Sequence, residues 1–163
     1  MSGQYFSRYD RGPVHLLIAQ KENGICGIWF VGAKKYAKGL DKDAEEKETA
    51  LILRTKQWLD CYFSGEQPED DIPLSLSGTP FQLAVWKQLQ RIPYGSLVTY
   101  GEIAAALGKP RAAQAVGQAV GANPVSVLIP CHRVIGKNGT LTGYDGGIEN
   151  KKLLLRTEGT LTE

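Results

Sequence analysis

TYGEIAAALGKPRAAQAVGQAVG, residues 99–121, decides the fold of the second half of the chain. Thr99 is a helix N-cap type and Glu102 stands three residues on, the spacing of a capping box. The helix so begun is short and meets Gly108, a C-cap candidate. After Lys109-Pro110 comes RAAQAVGQAVG, residues 111–121, built almost wholly of small residues. Short helix, glycine turn and second helix form a helix-turn-helix pattern. The second helix lacks the long polar side chains that reach base edges in a major groove. Ala112, Ala113, Ala115, Gly117 and Ala119 suit close approach to a backbone or a shallow groove. They suit tight packing against a neighbouring helix equally well.

Downstream lies NPVSVLIPCHRVIG, residues 123–136. Its apolar run, VSVLI, reads as a strand entering a core. The run ends at Pro130, and Cys131 sits where apolar packing stops and polar chemistry starts. A cysteine is nucleophilic as thiolate, so it needs a base within hydrogen-bond reach and a carboxylate to orient that base. The chain has two histidines. His15, inside a strand-like run, reads as structural. His132 follows Cys131, and neighbours in an extended segment point to opposite faces. Contact therefore requires a turn, which Pro130 accommodates, or a bridging water. Asp145, Glu149 and Glu158 are the downstream carboxylates, and the residue pattern does not choose among them. Cys26 and Cys61 lie on core-like faces, with no Cys-x-x-Cys pair to hold a metal.

Upstream, TPFQ (79–82) marks another helix start, with Thr79 as cap, Pro80 in the first turn and Gln82 closing a box. SGEQPEDDIPLSLSG (64–78) breaks all periodicity and reads as a linker. The spacing of Leu51, Trp58, Leu59 and Tyr62 predicts a helix over residues 44–63. VHLLIAQ and ICGIWFV read as two strands joined by KENG, with Asn23-Gly24 suited to the hairpin turn. These boundaries divide the chain into an N-terminal α/β unit, 1–76, and a C-terminal unit, 77–163.

Of 163 residues, 42% are hydrophobic and 22% charged, enough apolar material for a core. No stretch spans a bilayer, and the N-terminus lacks the apolar segment of a secretory signal. Three cysteines argue against a disulfide framework and point to a reducing cytoplasm. Through Leu76 there are 10 basic and 12 acidic residues; from Ser77 onward there are 9 and 5. The C-terminal unit is thus mildly basic, as a surface facing phosphates or by an uneven spread of solvated charge.

IPCHRVIGKNGTLTGYDGGIENKKLLLRTEG (129–159), FQLAVWKQLQRIPYGSLVTYGEIA (81–104) and PRAAQAVGQAVGANP (110–124) together resemble the O6-alkylguanine-DNA alkyltransferases, also called methylated-DNA–protein-cysteine methyltransferases. The resemblance spans nearly all of Thr79 to Gly159, with Pro-Cys-His-Arg at its centre. The N-terminal half matches only in general layout. It implies an α/β (α+β) fold: a small antiparallel sheet with a flanking helix, RNase H-like, followed by a mainly helical winged helix-turn-helix-like domain. It implies direct DNA repair on double-stranded DNA, with an O6-alkylguanine flipped out and its alkyl group moved irreversibly onto Cys131. O4-alkylthymine is a further substrate of that kind.

By the same resemblance His132 acts as base through a water and Glu158 orients it. Tyr100 serves the guanine ring and the flanking phosphate. Backbone groups around Cys131, Val134 and Asp145 read the base edge, Tyr144 walls the pocket, and Asn123 joins the recognition helix to the active-site segment. Arg111, Ala112, Ala113, Gln114 and Gly117 lie on the part that enters the minor groove. No cofactor, metal or membrane is implied, and the expectation is a cytoplasmic monomer that acts once.

Two positions depart from the family pattern. Gln114 stands where many members carry an arginine that fills the gap left by the flipped base. Ser126 stands where some carry a proline that accommodates bulky groups, which implies a preference for small alkyl lesions. Non-catalytic lesion-binding relatives replace the cysteine, which Cys131 argues against. An unrelated cysteine hydrolase is poorly served by adjacent Cys and His. The metal-binding module of the adaptive-response regulators has no counterpart in these residues.

Overall fold

The structure, a computed structural model, describes residues 3–141 and 143–161. Strands β1 (Gln4–Arg11), β2 (Val14–Lys21) and β3 (Gly24–Phe30) pair antiparallel. The two-residue β4 (Glu45–Glu46) adds a parallel edge, giving the order β3-β2-β1-β4. Alternation along β2 and β3 divides their side chains between two faces. Leu16, Ile18, Ile28 and Phe30 enter the main core, while Leu17, Ala19 and Trp29 form a smaller cluster. Sequence patterning did not reveal β1, because QYFSRYDR lacks a clean apolar alternation and becomes a strand through its register with β2.

The hairpin between β2 and β3 turns one residue earlier than the Asn23-Gly24 reading. Lys21 already pairs with Gly24, so Glu22 and Asn23 make the loop, with Glu22 left-handed at φ 55°. Gly24 serves a different purpose. A Cβ there would lie 2.6 Å from the Leu74 carbonyl carbon. The segment read as a linker runs back along β3, where Ile25 N–H donates to Pro73 O and Ser75 N–H to Ile25 O, both at 2.9 Å.

Helix α1 spans Ala50–Phe63, later than the periodicity predicted. Glu45–Glu46 are drawn into the sheet instead, and Thr49 caps the helix by accepting from Ile52 N–H. Ile52, Leu59 and Tyr62 are buried against the sheet, whereas Leu51 and Trp58 are half-buried.

Four helices follow: α2 (Pro80–Leu89), α3 (Tyr100–Ala106), α4 (Ala113–Gly121) and α5 (Ile148–Thr157). Both capping boxes form, Thr79 with Gln82 and Thr99 with Glu102. Gly108 ends α3 in the left-handed conformation at φ 72°. No side chain caps α4. Its position is set by packing: Val116, Ala119 and Val120 are buried, and Trp86 Nε1 of α2 donates to Ala119 O at 2.8 Å. That buried bond contributes about 1 kcal/mol beyond the burial of the indole. β5 (Val98–Thr99) and β6 (Val134–Ile135) pair in parallel and set the start of α3 beside the segment that follows Cys131. One continuous core runs from Tyr9 to Leu154, across both halves of the chain.

Candidate functional site

The segment carrying the thiol is coiled. VSVLI makes one isolated bridge, Ile28 with Val125, in place of the expected strand. Ile129 N–H then turns back to Val125 O at 3.0 Å, and Leu128 N–H to Ser126 O at 2.9 Å. Asn123 closes the loop from inside: its Oδ1 accepts from Val125 N–H and its Nδ2 donates to Ile129 O, both at 2.9 Å. Val127 is left-handed at φ 72° although β-branched, a conformation that costs on the order of 1–3 kcal/mol and is held by the surrounding packing. After Pro130 the chain makes a single 3-10 turn, Cys131–Arg133, which buries all three side chains. In a 3-10 turn successive side chains are about 120° apart, not opposed as in an extended pair.

Glu158, at the C-cap of α5, is the carboxylate that meets His132. Its Oε2 accepts from His132 Nε2 at 2.5 Å, from the Tyr62 hydroxyl at 2.6 Å and from an Arg133 Nη at 3.0 Å. Its Oε1 accepts from Arg133 Nε at 2.8 Å and from Gly95 N–H at 3.1 Å. Burial by itself would raise this carboxyl, but the donors from His132, Arg133 and Tyr62 outweigh it and bring it to about 2. An ionised Glu158 only accepts, so the His132 proton sits on Nε2. Nδ1 is then the acceptor nitrogen; it is buried and has no hydrogen-bond partner among the described residues. Burial pushes His132 below its ordinary value despite the carboxylate, helped by the Arg133 and Lys151 charges, so the imidazole is neutral near pH 7.

Cys131 is 6% exposed. Burial pushes its thiol up, and the polar groups of Asn123 and Tyr144 beside it, together with the Lys151 charge, pull the other way. Lys151 is itself buried and donates to Val134 O at 2.7 Å; desolvation lowers its ammonium, while a Cys131 thiolate favours the charged form. The Tyr144 hydroxyl is buried beside Cys131 and Ser126 without a hydrogen bond of ordinary geometry, and burial raises it well above a normal phenol. Its ring meets Phe30 of β3 edge-on at 6.1 Å. Gly146 permits that contact, since a Cβ there would lie 2.6 Å from the Phe30 ring and 2.9 Å from the Tyr144 ring.

The structure therefore gathers Cys131, His132, Glu158, Asn123, Ser126, Val134 and Tyr144 around one buried centre. Asp145 is half-buried, and its charge acts on Tyr144. Tyr100, the first residue of α3, packs at the Gly117 face of α4, where a Cβ on Gly117 would lie 3.7 Å from its ring. Gln114 is exposed on α4, and Ala112, Ala113 and Gly117 are half-buried. Arg111 is exposed in the turn before α4, off the helical face that it shares with Gln114 in a helix from 111. His15 is exposed on β2 and bonds its cross-strand partner Asp10 at 2.6 Å. Cys26 and Cys61 are half-buried, less enclosed than core residues.

Sequence reasoning assigned no role to Tyr62, Arg133, Lys151 or Lys35. Tyr62 was visible only as one aromatic in a helical core pattern, and Arg133 only as part of Pro-Cys-His-Arg. Lys151 and Lys35 carry no local signal. Lys35 Nζ reaches across from the N-terminal half to donate to Gly121 O, the end of α4, at 2.7 Å.

A helix-turn-helix domain holding a buried thiol, beside an imidazole fixed by an ionised carboxylate, defines a cysteine-dependent protein of DNA-binding architecture. Residues 80–160 match the family model described as 6-O-methylguanine DNA methyltransferase, DNA binding domain. The chain is 40% identical to the methylated-DNA–protein-cysteine methyltransferase of Methanosarcina acetivorans, over 96% of this chain and 99% of that protein. It is 43% identical to the constitutive enzyme of that name from Bacillus subtilis, over 94% of each. A crystal structure of Mycobacterium tuberculosis OGT in complex with DNA superposes with a TM-score of 0.85 at 37% identity, covering 96% of this chain and 94% of that one. The chain belongs to the methylated-DNA–protein-cysteine methyltransferase family.

Proposed function

We propose that this protein repairs DNA by moving the alkyl group of an O6-alkylguanine onto Cys131 in a single, irreversible event. The observation that carries the reading is the Glu158–His132 contact, which fixes the imidazole proton on Nε2 and leaves Nδ1 as a buried base one residue from the thiol. In the reaction the thiol proton passes to Nδ1 through a water. Cys131 Sγ then attacks the alkyl carbon, the S–C bond forms as the C–O6 bond breaks, and the electron pair leaves with guanine. The proton returns to the departing base, which leaves in its keto form, so atoms and charge balance. Protonating the departing base in this way lowers the barrier. The thioether is stable, so the protein is consumed.

The thiol is neutral at rest, held so by its burial, and Lys151 favours the thiolate as it forms. Tyr100 and the exposed Gln114 side of α4 face the DNA, with small residues entering the minor groove and the lesion flipped inward. Extrusion of the base costs a few kcal/mol, less when alkylation has weakened its pairing. One copy of the chain holds every member of the relay, which supports action as a monomer. Intact-protein mass after incubation with a duplex carrying one O6-methylguanine tests the reading. Wild type gains one methylene and stops at one equivalent, while Cys131→Ala gains none. Lesion binding without any mass gain refutes transfer and leaves a lesion sensor.

A further inference from the structure

The helical domain contains the thiol, the imidazole and the carboxylate, yet one donor on that carboxylate comes from elsewhere. Tyr62 belongs to α1, in the N-terminal half, and is fully buried. Its ring stacks on Trp58 at 5.6 Å and meets Phe63 and Tyr94 edge-on at 5.1 and 6.1 Å. Aromatic contacts on three sides leave the ring one orientation, and its hydroxyl is thereby aimed at Glu158 Oε2. That is the same oxygen that accepts from His132 Nε2.

We propose that Tyr62 is a positioning residue of the alkyl-transfer site, which makes the N-terminal half part of the relay: its hydroxyl shares Glu158 Oε2 with His132 and so limits how tightly the carboxylate holds an imidazolium. The inference rests on the alkyl-transfer reading above and adds a role for the N-terminal half. An oxygen that accepts two strong donors has less electron density to offer either one. With both in place the carboxylate orients His132 without trapping it in the protonated form. Without the Tyr62 hydroxyl, Oε2 binds the imidazole more strongly and favours its charged form. The other charged and titratable groups around the pair are Arg133 from the 3-10 turn, Lys151 from α5, and Tyr94 from the loop before β5. None of them changes when the hydroxyl is removed.

Tyr62→Phe keeps the ring contacts and deletes the 2.6 Å donor to Glu158 together with the hydroxyl's longer 3.3 Å contacts to His132 Nε2 and Leu154 O. A neutral His132 is needed to take the thiol proton, so the acid limb of the single-turnover rate moves to higher pH by about half a unit to one unit. Below the midpoint that shift slows transfer by about three- to tenfold, while the high-pH plateau and the affinity for lesion duplex stay near wild type. A purely structural tyrosine lowers the melting temperature and leaves the pH midpoint where it was. Replacing Tyr62 alone with 3-fluorotyrosine is the second arm. It preserves the fold and makes a stronger donor, so the limb moves the opposite way, to lower pH. An unmoved limb in the fluorotyrosine protein, or in a folded Tyr62→Phe, overturns the proposal. Wild type that transfers no alkyl group overturns the reading beneath it, and the mass measurement separates the two failures.

Discussion

Glu158→Gln is the perturbation whose size the structure sets most directly. The carboxylate receives five hydrogen bonds, three of them on Oε2. An amide in its place presents its own N–H groups to some of these donors and removes the charge that offsets Arg133, which is 8% exposed. Breaking a buried ion pair from one side costs about 3–5 kcal/mol. The depressed carboxyl gives a second figure. Holding the carboxyl at about 2 instead of its ordinary 4.5 corresponds to roughly 3 kcal/mol.

The sign follows from the direction of that shift. A depressed carboxyl stabilises the fold above its ordinary value, and the contribution is lost as pH falls through about 2. The gap between wild type and Glu158→Gln is thus roughly 3 kcal/mol or more at pH 7 and narrows by about half at pH 3. For a chain of this size a loss of about 3–5 kcal/mol lowers the melting temperature by roughly 6–20 °C. Denaturant unfolding of both proteins at the two pH values measures the gap. The same variant frees the imidazole to place its proton on Nδ1, so single-turnover transfer falls by about a hundred- to ten-thousandfold. A stability loss below about 1 kcal/mol at pH 7, or a gap that does not close with acid, refutes the argument.

Gln114→Arg adds a cation on the exposed side of α4; it tightens lesion-duplex binding and steepens the salt dependence by about one counterion, and a flat or slower repair rate counts against it. Lys35→Ala removes the side chain that satisfies Gly121 O at the end of α4; DNA affinity falls several-fold and stability by about 0.5–2 kcal/mol, as titration calorimetry and unfolding show, and unchanged affinity refutes a role in holding the helix. Gly146→Ala drives a methyl into the Phe30 and Tyr144 rings; it costs about 1–3 kcal/mol and slows transfer by displacing the pocket wall, whereas a wild-type rate shows that wall to be dispensable. O6-benzylguanine reacts more slowly than O6-methylguanine in DNA, because Ser126 offers little apolar contact, and its backbone N–H is engaged by Ile28 O at 3.0 Å; equal rates contradict this.

Some of this protein is decided by residues close together in the chain. Thr79 with Gln82 and Thr99 with Glu102 cap their helices because cap and partner are three residues apart, so nothing distant is required. Gly108 ends α3 for the same local reason, and Pro-Cys-His-Arg marks the site without reference to the fold. Other features depend on what the chain meets far away. VSVLI is apolar enough for a strand, but a buried coil stapled by Asn123 satisfies the same composition, and periodicity cannot separate the two. Asp145, Glu149 and Glu158 are equivalent as residue types. Only the packing of α5 against the 3-10 turn brings Glu158 onto His132. Tyr62 lies 96 positions from Glu158, and Lys35 lies 86 from Gly121. A hydrogen bond acts over about 3 Å, so which side chains gather at this site is settled by the folded packing of the two halves, while its neighbours in the chain already single out Cys131 as the candidate nucleophile.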